Sequence, residues 1–207
     1  ACYKSLGQID HALKMFETAT KIKPDYAEAF FNQGVILKGV ERLKDAVAIY
    51  KKAISLNPNY PDAHNNLGNT YKDLGMYDEA IKSYECALAY KPDFEVVHLN
   101  LGLIYSKFDQ ESAIKYFKKA IEHKPDYSEA YYNLGSTLMQ LGKKNESIKS
   151  YEKAIEIKPD YVAAHKNLSA MKLYQKNDPQ IMQILSLLKN KLLNDQDRIA
   201  LNFTLAK

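Results

Sequence analysis

The chain has 207 residues, 46% hydrophobic and 26% charged, with a formal net charge of +4. That apolar content supports a packed core and excludes a disordered chain, while charges of mixed sign suit solvated helix faces. Of the 29 Lys and Arg residues only Arg42 and Arg198 are arginine, so the bidentate forks of dedicated nucleic-acid recognition are missing.

No run approaches the roughly 20 apolar residues of a membrane span, and no charged-then-apolar segment opens the chain. Membrane insertion is therefore not expected. Cys2 and Cys86 stand far apart without metal-ligand spacing, so neither a disulfide framework nor a metal site is expected, and a reducing, cytoplasmic location is favoured.

In chain order, a partial unit comes first, over residues 1–24, with Tyr3, Leu6, Gly7, Ala12, Phe16 and Ala19 ahead of Pro24. It enters partway through a first helix and holds mainly a second one, so we expect the natural start, and any targeting signal, to lie upstream. Units over 25–58, 59–92, 93–125 and 126–159 follow, each closed by a proline. Gly34, Gly68, Gly102 and Gly135 recur in the first half, and Ala80, Tyr84 and Ala87 have counterparts in the second. A period near 34 residues implies a stacked solenoid.

In the 59–92 block, Asn59, Pro61 and Asp62 predict a capped helix start, and the pairs Asp25 with Glu28 and Asp126 with Glu129 predict the same. Leu74-Gly75 predicts a left-handed stop before a second helix that ends at Lys91-Pro92. Three departures stand out. Glu41 replaces Gly75. The 93–125 unit is one residue short, which we place in its turn, within SKFDQES. Ser147 and Ser169 replace Ala80 and Gly68. Residues 160–175 predict the first helix of a sixth unit. Residues 176–207 predict a helical cap: a turn at QKNDP with Asp178 capping and Pro179 first in the helix, a face of Ile181, Ile184, Leu185 and Leu188, and a last helix opened by Asn194-Asp195.

These positions identify the chain as resembling the tetratricopeptide repeat (TPR) family over residues 1–175. The resemblance implies an all-α fold, a right-handed superhelical solenoid of antiparallel helix pairs. More loosely, the Asp178-Pro179 pair and the closing DRIALNFTLAK resemble the junction that follows the repeats in TPR–sulfotransferase fusions.

No motif for catalysis is present: there is no phosphate loop, no GxSxG elbow and no HExxH. No catalytic residue, metal or cofactor is assigned. His64, His98 and His165 recur at one place, also taken by Phe30 and Tyr131, which marks a packed ring rather than a ligand set. His11 and His123 have no counterparts and are read as surface residues.

Asparagine is the sharper signal. Asn32, Asn66, Asn100, Asn133 and Asn167 each stand two residues before the small residue, about 160° around the helix from the seam. A carboxamide both donates and accepts, as an extended peptide backbone requires. We expect these five to form a binding row, flanked by Val35, Asn69, Leu103, Lys38 and Lys72. Such a row resembles the asparagine ladder of the TPR superhelix in O-linked N-acetylglucosamine transferases. The carboxylate clamp of chaperone-tail binders is absent, because Glu28, Asp62, Val96, Glu129 and Ala163 occupy its basic places.

The leading expectation is a non-enzymatic scaffold binding a protein or peptide, without nucleic acid. A second is a recruiting segment of a larger sulfotransferase or glycosyltransferase whose catalytic domain is not in this chain. A third is self-association through exposed terminal helices, with Leu201, Phe203 and Leu205 forming an apolar edge.

Overall fold

The computed structural model describes residues 2–172, 178–190 and 193–205, with side chains from residue 9 onward. The turn expected at Gln175–Asn177 lies outside the described residues. All described regular structure is helical: α1 (Cys2–Ile22), α2 (Ala27–Gly39), α3 (Leu43–Leu56), α4 (Pro61–Asp73), α5 (Tyr77–Tyr90), α6 (Glu95–Tyr105), α7 (Gln110–His123), α8 (Ser128–Gln140), α9 (Lys144–Ile157), α10 (Val162–Met171), α11 (Pro179–Leu188) and α12 (Asp195–Leu205). The chain divides into two compact units, Ala1–Asn100 and Leu101–Lys207.

In the first unit α1 packs on α2, α2 on α3, α3 on α4 and α4 on α5. In the second, α7 packs on α8, α8 on α9, α9 on α10, and α12 on both α10 and α11. Connections as short as 40–42, 74–76 and 141–143 force consecutive helices to run antiparallel. Each unit is therefore a stack of helix pairs, as the period requires.

The seam inside each pair is set by glycine. A Cβ placed on Gly34 or Gly68 would lie 2.6 Å from the ring of Tyr50 or Tyr84, and one on Gly102 would lie 2.5 Å from Phe117. These rings are fully buried, so the glycine is the room that the ring occupies. At Gly135 the approach to Tyr151 is wider, 3.0 Å. There the substituted Ser147 is buried and donates its hydroxyl to the Gly135 carbonyl at 2.7 Å. Where Ser169 stands in the glycine place, the buried apolar residue on α11 is the aliphatic Ile184, beside the buried Gln180.

The turns differ from expectation in instructive ways. Glu41 takes φ 60°, beside 76° at Gly75 and 70° at Gly142. The left-handed stop is kept even without glycine, and Glu41 carries its steric strain. Gly39 has an ordinary helical backbone. In the short unit the connection is longer, not shorter. α6 ends at Tyr105, two positions earlier than its counterpart α4, and residues 106–109 then lead into α7. The missing residue comes out of the last helical turn. Asp109 compensates by accepting the Ser112 amide at 3.1 Å, a side-chain cap that α3, α5 and α9 lack. In α1 the helix runs through Gly7 without a turn.

The expected caps at Asn59, Asp25 and Asp126 do not form. The N-cap residues are Tyr26, Tyr60 and Tyr127, with no side-chain cap. The acidic or amide residue sits one place too early, and Asp25 and Asp126 lie inside tight turns that close from Lys23 to Tyr26 and from Lys124 to Tyr127. The lysine that opens that turn lies over the aromatic ring that closes it: Lys23 on Tyr26, Lys91 on Phe94, Lys124 on Tyr127 and Lys158 on Tyr161, at 4.2–5.2 Å. Besides Asp109, capping by side chains appears at the C-terminal end. Asp178 accepts the Gln180 amide at 2.9 Å with Pro179 first in α11, and Asn194 accepts the Asp197 amide at 2.8 Å. On α11, Ile184 is buried but Leu185 is exposed.

Candidate functional site

The asparagines stand on the side of the first helices turned away from the glycine seam, and their surroundings separate them. In the first unit Asn32 and Asn66 are half-buried, and neither makes a side-chain hydrogen bond among the described residues. Asn100 is buried and tied down. Its Nδ2 donates to Asn65 Oδ1 at 3.4 Å, and its Oδ1 accepts Lys72 Nζ at 3.0 Å. In the second unit Asn133 turns back on its own helix and donates to the Glu129 carbonyl at 2.8 Å. Asn167 donates to the hydroxyls of Tyr132 and Tyr151 at 3.3 and 3.2 Å.

The flanking residues separate in the same way. Val35 is exposed and Leu103 half-buried. Lys38 pairs with Asp73 at 2.8 Å across to α4. Asn69 accepts the hydroxyl of Tyr84 at 2.7 Å, which holds it to the packed ring. Tyr84 and Tyr151 have pKa values raised by burial, so both phenols are neutral hydrogen-bonding groups.

The residues that tie the amides lie one position before an asparagine in the preceding repeat, Asn65 and Tyr132. A spacing of 35 residues connects each to its amide. Reading the chain for that offset finds them.

The recurring histidines have a common partner. The Nε2 atoms of His64, His98 and His165 lie 3.0, 2.9 and 2.9 Å from the carbonyl oxygens of Pro58, Pro92 and Pro159. Each pins an inter-repeat turn to the helix that follows it. His165 has no exposed surface, and burial pushes its pKa down.

Among the described residues no group of three or more His, Cys, Asp or Glu side chains comes together, and no helix is long and apolar enough to cross a membrane. The second unit also has a cleft of about 370 Å³ between α10 and α12, lined by Asn167, Ala170, Ile199 and Phe203 among others. The expected apolar edge on α12 is altered. Leu201 is fully buried where α12 packs on α10 and α11, and the exposed apolar residues are Ile199 and Phe203. A helix turn repeats every 3.6 residues, so Leu201 cannot share one face with both Phe203 and Leu205.

The tetratricopeptide repeat matches residues 61–94, 1–26 and 128–161, and the TPR repeat matches residues 41–75 and 109–142. No curated protein sequence matches the chain. Among solved structures, MamA is similar at a TM-score of 0.70 and 25% identity, over 75% of this chain and 92% of that one. YrrB, described as a TPR protein with an unusual peptide-binding site, is similar at 0.68 and 22%, over 93% of this chain and 98% of that one. MamA from Desulfovibrio magneticus RS-1 is similar at 0.65 and 16%, over 87% and 91%.

Proposed function

Because this chain belongs to the tetratricopeptide repeat family, we propose that it is a non-enzymatic interaction scaffold that holds an extended peptide segment through amides on its first helices. The observation that carries the reading is the pair Asn32 and Asn66, half-exposed in mid-helix and free of side-chain partners among the described residues. Asparagine is a mediocre helix former, so its repeated use there calls for a reason beyond propensity. Adjacent helices lie roughly 8–10 Å apart and an extended chain rises about 3.3 Å per residue, so successive amides meet about every third ligand residue. The peptide-binding site in the description of YrrB supports the reading by analogy.

At about 1 kcal/mol per net hydrogen bond a few amides give modest, micromolar affinity. Selectivity then falls to neighbours such as Val35 and the Lys38–Asp73 pair. The test is selection from a displayed random-peptide library. We expect enriched peptides with Kd values in the micromolar range, and failure to enrich any peptide tighter than about 1 mM contradicts the reading.

One observation favours the second reading, a recruiting segment of a larger transferase. α12 packs on α10 and α11 as the first helix of a further repeat would, and the tail resembles the junction of TPR–sulfotransferase fusions. The gene sequence beyond Lys207 decides it, since a chain that stops within one more repeat cannot be a fusion enzyme. Self-association through the exposed Phe203 and Ile199 is read by sedimentation, and a monomer at high concentration rules it out.

A further inference from the structure

The ring layers beneath two of the asparagines are built alike and finished differently. In the second unit Tyr151 lies under Asn167, which donates to its hydroxyl at 3.2 Å and to that of Tyr132 at 3.3 Å. Ser136 stands there in the repeat position that Asn69 holds beside Tyr84. In the first unit Tyr50 occupies the same place. Phe31 lies 6.0 Å from Tyr50 and its ring is 5.0 Å from Tyr60, as Tyr132 lies 5.7 Å from Tyr151 and 5.0 Å from Tyr161. Asn66 follows Tyr50 by the same 16 residues, and Phe31 by the same 35, that separate Asn167 from Tyr151 and Tyr132.

Two of the polar groups have been lost: Phe31 stands for Tyr132 and Val35 for Ser136. The Tyr50 hydroxyl, on a residue with no exposed surface, has no hydrogen-bond partner among the described residues. Elsewhere the ring and its partner change together. Asn69 accepts from Tyr84 at 2.7 Å, and where Leu103 takes the place of Asn69 the ring is Phe117, which has no hydroxyl to satisfy. At Tyr50 the phenol is kept while Val35, which cannot hydrogen-bond through its side chain, stands in the place of Asn69.

A buried hydroxyl without a partner is unfavourable. By the equivalence of the repeats, the group placed to relieve it is the Asn66 amide. We propose that Tyr50 and Asn66 form a switchable pair. With its side chain turned inward, Asn66 hydrogen-bonds the buried hydroxyl; turned outward, it presents the amide to a ligand. With one acceptor where Asn167 has two, the inward state is held weakly, which leaves both states accessible. The functional weight of the switch rests on the peptide reading above. A ligand that takes Asn66 must hold it outward, so its affinity is set partly inside the second repeat.

A double-mutant cycle in the full chain tests the pair without any ligand, so its failure leaves the peptide reading standing. Tyr50→Phe, Asn66→Ala and the double variant are unfolded in urea beside the control cycle Tyr151→Phe with Asn167→Ala. The expected result is non-additivity at 50/66 of at least about threefold in the folding equilibrium constant, smaller than in the control. The Asn66 side-chain amide resonance is also expected to shift in Tyr50→Phe. Additive effects at 50/66, or an Asn66 resonance unmoved by Tyr50→Phe, overturns the proposal.

Discussion

The two sides of each first helix repeat equally well in sequence and behave differently in space. On the seam, Gly34, Gly68 and Gly102 meet a ring at nearly one distance, 2.5–2.6 Å to an added Cβ. On the open side, Asn66, Asn100, Asn133 and Asn167 share no common set of partners. The seam repeats because each of the four complete repeats supplies its own ring. The open side does not, because an amide such as Asn100 or Asn167 reaches into the repeat before it, where the facing residue varies: Phe31, Asn65 or Tyr132. A repeated letter keeps a repeated contact only where its neighbour is repeated too.

The seam offers the hardest way to break that contrast. Gly68→Ala or Gly102→Ala forces a methyl into a buried ring, and we expect a loss of about 1–3 kcal/mol in urea unfolding. Gly39→Ala, with nothing within 4 Å of its Cβ, is expected to be neutral or slightly stabilising. Equal effects at the two kinds of site would show that the seam is not close-packed.

The open side should split. Asn100→Ala leaves the buried Asn65 and the Lys72 ammonium without their amide and is expected to lose about 1–2 kcal/mol, whereas Asn66→Ala, which removes only one weakly held bond, should lose less, about 0.5–1 kcal/mol. The turns sharpen the contrast further. Glu41→Gly removes left-handed strain and should gain roughly 0.5–1 kcal/mol, read as a higher Tm, while Gly75→Ala should lose at least as much.

The last prediction concerns pH. Burial holds the His165 pKa below its ordinary value of 6.5, so the folded state takes up a proton less readily than the unfolded one. The stability tied to His165 is complete above that value and is lost as pH falls through the lower folded pKa. His165→Tyr, the residue type found at Tyr131, should flatten that acid limb in stability measured against pH.

Most of the helical architecture is legible in the sequence, because glycine, tyrosine and proline recur at positions whose packing is local to one repeat. A polar residue beside Pro suggests a cap at Asp25, Asn59 and Asp126, whereas the helix start lies one residue later, at Asp25 and Asp126 because a Lys-to-Tyr turn shifts it. The deletion in the 93–125 unit is visible as a count, but its removal from the end of α6 depends on the Asp109 cap. On the open side, the positions of the five asparagines are legible, but their availability is not. The fate of Asn100 depends on Asn65 and that of Asn167 on Tyr132, across a spacing that no single repeat contains. Asn69 is a similar case, since its flank position is visible while its bond to Tyr84 belongs to packing.

The most direct test titrates one selected peptide against two variants while their thermal stability is recorded. Asn32→Ala with Asn66→Ala should weaken binding tenfold or more with a smaller loss of Tm than Asn100→Ala. Asn100→Ala should lower Tm while the folded protein binds within about threefold of the original. If the first variant keeps full affinity, or if Asn100→Ala leaves Tm untouched and alone abolishes binding, the division between presented and structural amides is wrong.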